Sequence, residues 1–414
     1  MKIRKVLFAR GISSFFFDDQ RAIKRGAAHD GFVYKGRPIT PGFDAVRVAG
    51  ENISVMLVLE DGQIALGDCA AVQYSGAGGR DPLFLAAKYL PLLEKRVRPR
   101  LEGREIGKFR KMADEICAMR PAGNKLHTAI QYGLTQALLD ARALDRKKTK
   151  CEVICEEYNL PVIAKRVPIF AQSGDNRYES VDKMILKKVD VLPHGLINNI
   201  DEKLGRDGGK LKEYIRWLVR RVRQLRSDKK YRPVIHIDVY GTIGLLYDLN
   251  LGKVADYLAG LEKDADGFEL YIEGPVDMER RQKQMDAMAA IKRFLSERGS
   301  HVKIVADEWC NTFEDVRDFC SAGACHMVQI KTPDLGGIQN IVESVLYCKA
   351  NGMEAYQGGT CNETEISSRT CVHLAVAARP ERILAKPGMG FDEGFTIVNN
   401  EMERLCRILE WKYE

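Results

Sequence analysis

Two hydrophobic patterns follow one another along the chain and change near residue 160. In the first part, apolar β-branched runs at 53–59 and 63–69 flank Glu60-Asp61-Gly62, and Asp-Gly favours the positive φ angles of a tight turn. This pattern predicts an antiparallel hairpin. Helical spacing of apolar residues then predicts three helices, over 82–97, 106–119 and 125–147. Strands followed by helices are typical of an α+β domain, which we place at residues 1–160.

After residue 160, short apolar runs alternate with helical stretches, a pattern typical of β/α units and a parallel sheet. We identify eight such runs, which end at or near Gln172, His194, Asp238, Glu273, Asp307, Lys331, Thr360 and Leu384. Eight parallel strands with intervening helices close into a barrel of about 250 residues. The sequence therefore predicts an α/β protein whose C-terminal (β/α)8 barrel, at residues 161–414, is capped by the N-terminal α+β domain.

Composition narrows the class of protein only a little. The 414 residues are 45% hydrophobic and 29% charged with a net charge of +7, which is ordinary for a globular protein. No run of about 18 apolar residues is present, which predicts no membrane span. Eleven cysteines without a repeated CxxC indicate a reducing cytoplasm and no disulfide framework. Cys151 and Cys155 could form half of a metal site, but no matching pair follows, which favours ordinary core or surface thiols.

The densest basic run, RWLVRRVRQLRSDKKYR at 216–232, raises the possibility of nucleic-acid binding. Its apolar members Trp217, Leu218, Val222 and Leu225 have helical spacing, which favours one amphipathic helix with a solvated basic face. A nucleic-acid-binding protein remains the rival from another class, and salt-sensitive retention by DNA or RNA would test it. Because that rival leaves the acidic strand ends unexplained, we predict no nucleic-acid partner.

Carboxylates end three consecutive predicted strands, at Asp238, Glu273 and Asp307. In a barrel these ends are neighbours on one rim, where three carboxylates would repel one another unless a cation neutralised them. Oxygen-only ligation is what Mg²⁺ prefers. Acidic residues also begin loops as helix N-caps, which explains one or two such positions more readily than three in register. The pattern therefore predicts a magnesium site.

Two candidate bases end other strands of the same rim. Lys331 ends the strand after Asp307, and desolvation together with a nearby cation would lower the pKa of its amine towards a working range. Its alternative role is a salt bridge to a metal-ligand carboxylate. His194 ends the second strand, almost across the barrel, and is otherwise a satisfied structural histidine. A metal, a lysine and a carboxylate cluster together suggest proton abstraction next to a carboxylate, with the metal stabilising an enediolate.

Two further segments suggest chemistry that their surroundings do not support. The glycine-rich stretch 75–80 resembles a phosphate-binding loop, but Asp81 stands where a third glycine is needed, so we interpret it as a lid over the barrel rim. Cys361 could be a nucleophile. With no histidine nearby in sequence and Thr360 beside it, a role in shaping the substrate pocket is favoured.

The segments that carry these residues resemble those of the methylaspartate ammonia-lyases, a family of the enolase superfamily. The likeness runs over nearly the whole chain, and it includes HIDVYGTIG (236–244), IEGPVD (272–277), ADEWCNT (306–312), MVQIKTPDLGG (327–337), GGTCNET (358–364) and AKPGMG (385–390). So many long matches indicate the family and not merely the fold.

The resemblance implies reversible elimination of ammonia from L-threo-3-methylaspartate to give mesaconate, a reaction of glutamate degradation, with Mg²⁺ and with K⁺ as a monovalent activator. Lys331 would remove the C3 proton of the (2S,3S) substrate, and His194 would serve the (3R) epimer or stabilise the transition state. Asp238, Glu273 and Asp307 would ligate Mg²⁺. The implied substrate-pocket residues are Gln172, Gln329, Thr360, Cys361, Gln73 and Leu384. A cytoplasmic homodimer is implied as well.

The nearest rival within this fold is a racemase, epimerase or cycloisomerase of the same superfamily. Such enzymes share the three metal carboxylates but use a KxK pair of lysines on an earlier strand. Gln172 and His194 stand where those lysines would be expected, which favours the ammonia-lyase.

Overall fold

A three-stranded antiparallel sheet begins the computed structural model, which describes residues 1–413. The strands before the barrel are β1 (Ile3–Asp18), β2 (Ala28–Asp30), β3 (Val33–Lys35), β4 (Arg47–Leu59) and β5 (Ile64–Asp68). Strand β4 pairs with β1 and β5, while β2 and β3 form a separate ribbon. The predicted hairpin is confirmed, since β4 and β5 pair antiparallel across the turn at Asp61.

The helices of this N-terminal part are α1 (Gln20–Lys24), α2 (Ala86–Leu92), α3 (Arg98–Leu101), α4 (Phe109–Ala118), α5 (Thr128–Arg146) and α6 (Lys150–Tyr158). Of these, α2, α3 and α5 contact the sheet. The predicted helix at 82–97 begins later, at Ala86, and continues through a π-helical turn, Leu93–Val97, into α3. The other two predicted helices are confirmed as α4 and α5 with slightly shorter bounds.

Close packing of α5 on β5 depends on two glycines, Gly67 and Gly133. A Cβ atom on Gly133 would lie 2.5 Å from the Sγ atom and 2.6 Å from the backbone nitrogen of Cys69. We expect Gly133→Ala to lower the free energy of unfolding by about 2 kcal/mol through overpacking, although alanine is the better helix former. Chemical unfolding would measure the change.

The matched control is Gly260→Ala, because Gly260 lies inside a helix and a Cβ there meets nothing within 4 Å. The free energy of unfolding of that variant should be about 0.5–1 kcal/mol higher than that of the wild type. Equal stability changes for the two variants would contradict the close approach of α5 to the sheet.

Eight parallel strands form the closed barrel, which confirms the predicted fold class. They are β6 (Ile169–Phe170), β7 (Val191–His194), β8 (Val234–Asp238), β9 (Leu270–Glu273), β10 (Lys303–Ala306), β11 (Met327–Ile330), β12 (Glu354–Gln357) and β13 (Arg382–Leu384). The helices that surround them are α7 (Glu179–Leu186), α8 (Gly209–Leu225), α9 (Thr242–Leu246), α10 (Leu251–Ala265), α11 (Arg281–Glu297), α12 (Phe313–Ser321), α13 (Ile338–Ala350), α14 (Glu365–Ala378) and α15 (Asp392–Tyr413). The division into units at 1–160 and 161–414 stays a prediction.

One expectation about local structure needs correction, and one strand was missed. The basic run 216–232 is not one helix, because α8 begins at Gly209 and ends at Leu225. Its apolar face is buried, and Arg216 and Arg221 pair with acidic side chains of neighbouring helices. Strand β1 was not predicted. Register shifts against β4 interrupt its alternation of buried and exposed residues, so the period of two is obscured.

The cysteines form no disulfide within the described residues, and nearly all of them are buried. All eleven cysteines are free, including Cys151 and Cys155 on α6. Within residues 1–413, no helix is both long enough and apolar enough to cross a membrane.

Candidate active site

Three buried carboxylates converge at the carboxyl end of the barrel. Asp238 and Glu273 are the last residues of β8 and β9 and lie opposite one another in register, and Asp307 directly follows β10. One oxygen from each residue lies within 4.8 Å of the others. Short β/α units place these side chains together, because consecutive parallel strands end on the same rim.

Burial and mutual repulsion act together on this cluster. Burial, with the charges of neighbouring carboxylates, raises the pKa of Asp238 and raises that of Glu273 to about 8. Burial likewise raises the pKa of Asp307, although the Lys331 ammonium opposes this effect. A divalent cation would relieve the repulsion, and an all-oxygen donor set fits Mg²⁺. The residues present therefore fit the metal that the sequence predicts.

Neutral side chains contact Glu273, the carboxylate that lies between the other two in strand order. The Tyr356 hydroxyl lies 2.8 Å from each of its oxygens, and His236 Nε2 lies 2.8 Å from Oε2. The Gln329 amide also donates to Glu273 and to the Tyr356 hydroxyl. These contacts fix the orientation of the carboxylate, as outer-shell partners do for metal ligands.

Lys331 and His194 approach the carboxylates from opposite sides of the barrel. Lys331 directly follows β11, and its Nζ forms an ion pair with Asp307. His194 ends β7, four strands away, with Nε2 3.5 Å from Asp238 Oδ2. Its backbone has a φ of 65°, a left-handed conformation that non-glycine residues adopt mainly where surrounding structure enforces it.

The electrostatic environments of the two candidate bases differ. Burial and the charge of Lys331 lower the pKa of His194 to about 4, which favours the neutral imidazole. Burial and Arg80 lower the pKa of Lys331, but Asp307 and other carboxylates raise it more, so the net shift is upward. This direction is opposite to the sequence expectation, in which desolvation and a nearby cation together lower the pKa of Lys331. The ion pair with Asp307 is compatible with Lys331 as a general base and with Lys331 as a salt-bridge partner, because a base beside the metal site must also lie next to the metal ligands.

One cavity of about 80 Å³ brings the predicted substrate residues to these groups. Its lining includes all six of them: Gln73, Gln172, Gln329, Thr360, Cys361 and Leu384. The Cys361 thiol lies 3.5 Å from Gln73 Oε1, and burial raises the pKa of Cys361 to about 12. A thiol that stays protonated is a poor nucleophile, which favours the pocket-shaping role. The roles of the six residues stay predictions.

Other lining residues escaped the sequence analysis, most notably Arg80. Its side chain is 3% exposed, and it contacts Asp334 at 2.9 Å and Glu308 at 3.3 Å on the barrel rim. The Gly78 carbonyl accepts from Asn311 Nδ2 at 2.8 Å, so the glycine-rich stretch packs against the rim, where a lid is expected. A lone arginine among glycines was the available signal. Tyr74 and Tyr240 also line the cavity and carried no distinguishing pattern.

Comparisons with known proteins agree with this geometry. The family model "Methylaspartate ammonia-lyase N-terminus" matches residues 1–159, and "Methylaspartate ammonia-lyase C-terminus" matches residues 161–411. A curated methylaspartate ammonia-lyase from Citrobacter amalonaticus is 61% identical over 412 residues, which is 100% of each chain.

Two solved structures are similar over their whole length. The Citrobacter amalonaticus methylaspartate ammonia-lyase containing (2S,3S)-3-methylaspartic acid has a TM-score of 0.98 at 61% identity, covering 99% of this chain and 100% of that one. The Mg complex of β-methylaspartase from Clostridium tetanomorphum has a TM-score of 0.95 at 57% identity and covers 100% of both chains. With matches of this extent and a rim that carries the expected carboxylates, the chain belongs to the methylaspartate ammonia-lyase family.

Proposed function

We propose that this protein is a magnesium-dependent carbon-nitrogen lyase that eliminates ammonia reversibly from L-threo-3-methylaspartate to give mesaconate. The observation that carries the proposal is a cluster of three buried carboxylates, two of which, Asp238 and Asp307, line one cavity together with Lys331 and His194. Family membership supports this choice over a racemase or cycloisomerase on the same fold. A racemase or cycloisomerase would carry a lysine base near the end of an early barrel strand. In this chain Gln172, just beyond the first barrel strand, lines the cavity at such a position.

In the proposed reaction, the neutral amine of Lys331 takes the proton from C3 of the (2S,3S) substrate. The electrons of the broken C–H bond form the C2–C3 double bond, and those of the C–N bond leave with ammonia. The proton remains on Lys331 Nζ, beside the Asp307 carboxylate that stabilises the ammonium. His194 faces the other side of the pocket, where it would act on the (3R) epimer or stabilise the transition state.

Asp238, Glu273 and Asp307 would hold Mg²⁺. When bound, the ion would supply positive charge at the substrate carboxylate next to C3, which acidifies the C3 proton. Gln172, Gln329, Thr360 and Cys361 lie around the same cavity and would orient the substrate's carboxylates and amino group, with Gln73 and Leu384 bordering the amine and the alkyl group. Arg80 and the glycine-rich stretch would exclude water by covering the rim.

The direct test is ultraviolet absorbance during incubation with L-threo-3-methylaspartate, Mg²⁺ and K⁺, because the conjugated double bond of mesaconate absorbs where the substrate does not. We expect a rise in absorbance that excess chelator abolishes. A flat trace with Mg²⁺ demonstrably bound would refute the proposed lyase and favour an epimerase or cycloisomerase.

Three accompanying properties are also part of this proposal: activation by K⁺, a homodimer and a cytoplasmic location. Replacing K⁺ by a tetraalkylammonium ion in the same assay should lower turnover if K⁺ is the activator. Sedimentation equilibrium should give twice the chain mass of 46.6 kDa for the homodimer. The eleven free thiols support a reducing compartment, which fractionation of cells would test.

A further inference from the structure

A fully buried ion pair packs against Gly359 of the substrate pocket and includes none of the residues that line the pocket. Lys386 Nζ and Glu363 Oε1 are 2.9 Å apart, and both side chains are 0% exposed. Breaking a buried pair strands an uncompensated charge, yet well-packed apolar residues often replace the whole pair without loss of stability. The pair therefore needs a reason other than stability.

Its hydrogen bonds connect the loops after three consecutive barrel strands. Lys386, which follows β13, donates to the Gly358 carbonyl after β12 at 2.6 Å and to the Thr332 hydroxyl at 2.8 Å. Thr332 directly follows Lys331 and donates to Glu363 Oε1 at 2.6 Å. The three loops that meet here are the loop that follows Leu384, the loop that carries Thr360 and the loop that begins with Lys331.

The loop that leads into Thr360 packs tightly against the Lys386 side chain. A Cβ atom on Gly359 would lie 2.3 Å from Lys386 Nζ and 3.0 Å from Glu363 Oε1. Glycine at this position therefore lets the backbone that leads into Thr360 rest on the ammonium group.

The segment around Lys386 also holds two pocket residues through Gly388. The Gly388 amide donates to the Cys361 carbonyl at 2.9 Å, and its carbonyl accepts from Gln172 Nε2 at 2.6 Å. Tyr132 of α5 reaches Glu363 Oε2 at 2.9 Å, which joins the network to the N-terminal part of the chain. Apart from the contact of the Tyr132 hydroxyl with Cys371 Sγ on α14, the branches of the network end on or next to a residue of the pocket, or on the N-terminal part of the chain.

We propose that Lys386 and Glu363 are positioning residues, whose buried ion pair holds the Thr360–Cys361 loop and the backbone of Lys331 in reactive register. The kinetic consequence of this inference rests on the proposed lyase activity, whereas the ordering of the loop does not. Small misplacements of reacting groups cost catalysis steeply, so loss of the pair should lower kcat/KM by about 100-fold.

The experiment compares Glu363→Gln, Lys386→Met and the double variant with the wild-type protein. Each single variant should unfold more readily because it leaves a buried charge without its partner. In the double variant the unfolding midpoint should return towards the wild-type value, while kcat/KM stays about 10-fold or more below it. A merely structural pair would restore stability and activity together, and that outcome overturns the proposal.

The control is the double variant Lys303→Met with Glu354→Gln. This partly exposed Lys–Glu pair joins the amino-terminal ends of β10 and β12, at the end of the barrel away from the pocket. It should change stability without changing kcat or KM. Mg²⁺ affinity, measured by calorimetry, should be unchanged within about twofold in both double variants, since neither pair touches the carboxylate cluster.

Hydrogen–deuterium exchange of the backbone amides at 358–364 tests the positioning role without requiring lyase activity. Exchange there should be faster in the Lys386→Met, Glu363→Gln double variant and unchanged in the control. If the wild-type protein does not act on 3-methylaspartate but exchange responds as expected, the lyase proposal fails and the positioning role stands. If the wild-type protein is active and the double variant has wild-type kinetics and exchange, the positioning role fails.

Should the ion-pair variants not fold, Thr332→Val replaces them, because it keeps the shape and the ion pair but removes the bridging hydroxyl. This variant should lower kcat/KM by about fivefold and speed exchange at 358–364. Wild-type values for both quantities would overturn the proposal.

Discussion

Lys331→Ala is expected to lower kcat for elimination from (2S,3S)-3-methylaspartate by about 10³ to 10⁴-fold, since the variant loses its general base. The side chain adjoins the carboxylate cluster and lines the cavity, and alanine carries no group there that could take the C3 proton. Mesaconate absorbance gives kcat, and calorimetry with Mg²⁺ gives the metal affinity, which should be retained because Lys331 is not a ligand.

His194→Ala provides the reciprocal comparison, because His194 lies on the opposite side of the barrel. It should impair the (2S,3R) epimer more than the (2S,3S) substrate, and Lys331→Ala should show the reverse preference. Lys303→Ala, at the far end of the barrel, serves as a lysine control with normal turnover. If Lys331→Ala keeps more than a tenth of wild-type kcat, the base lies elsewhere.

Glu273→Gln should weaken Mg²⁺ binding by at least about 100-fold and remove nearly all activity at ordinary metal concentrations. Glu273 lies between the other two carboxylates in strand order and accepts hydrogen bonds from Tyr356, so its removal takes away the best-oriented ligand. The glutamine keeps the shape of the side chain and one acceptor oxygen, which limits damage to the fold.

The same variant should lose most of the stabilisation that Mg²⁺ gives to the wild-type protein. With Mg²⁺ at 100 times its Kd, the free energy of unfolding of the wild-type protein should rise by about 2.7 kcal/mol, whereas the variant should barely respond. In excess chelator at a pH above about 8, where Glu273 would otherwise be charged, Glu273→Gln should be at least as stable as the wild type, because one of three mutually repelling charges is gone. Glu354→Gln, on the opposite rim, is the control. Wild-type Mg²⁺ affinity in Glu273→Gln would contradict the assignment of the site.

Much of the barrel could be predicted because its strands carry local signals. Each of the eight runs is a short apolar segment bounded by turn residues, and all eight are strands in the structure. Some strands end a few residues before the predicted end of the apolar run, because the hydrogen bonds between strands stop there. Asp307 and Lys331 lie one residue beyond β10 and β11, and Thr360 lies three residues beyond β12. Side chains just past a strand still face the same rim, so the site prediction tolerated these offsets.

The errors arose where a local signal was weak or misleading. In β1, bulges displace the alternation of buried and exposed residues, and the charged residues near the start obscured a strand that the structure pairs along its length with β4. In the basic run, residues beyond Leu225 continue the charge pattern but leave the helix. Charge density describes solvation and does not define where a helix ends.

By itself, the sequence determined the α/β class, the eight strands, the acidic residues at consecutive strand ends and, by resemblance, the family. These features depend on periodicity and on residue type at fixed local positions, which the chain carries without reference to its folded form. Only the tertiary structure decided which side chains support the site. Tyr356 lies 83 residues from Glu273, and Tyr132 lies 231 residues from Glu363, and closure of the barrel together with packing of α5 brings these pairs into contact. Long-range hydrogen bonds of this kind leave no periodic trace in a sequence, because each partner appears locally as an ordinary buried residue.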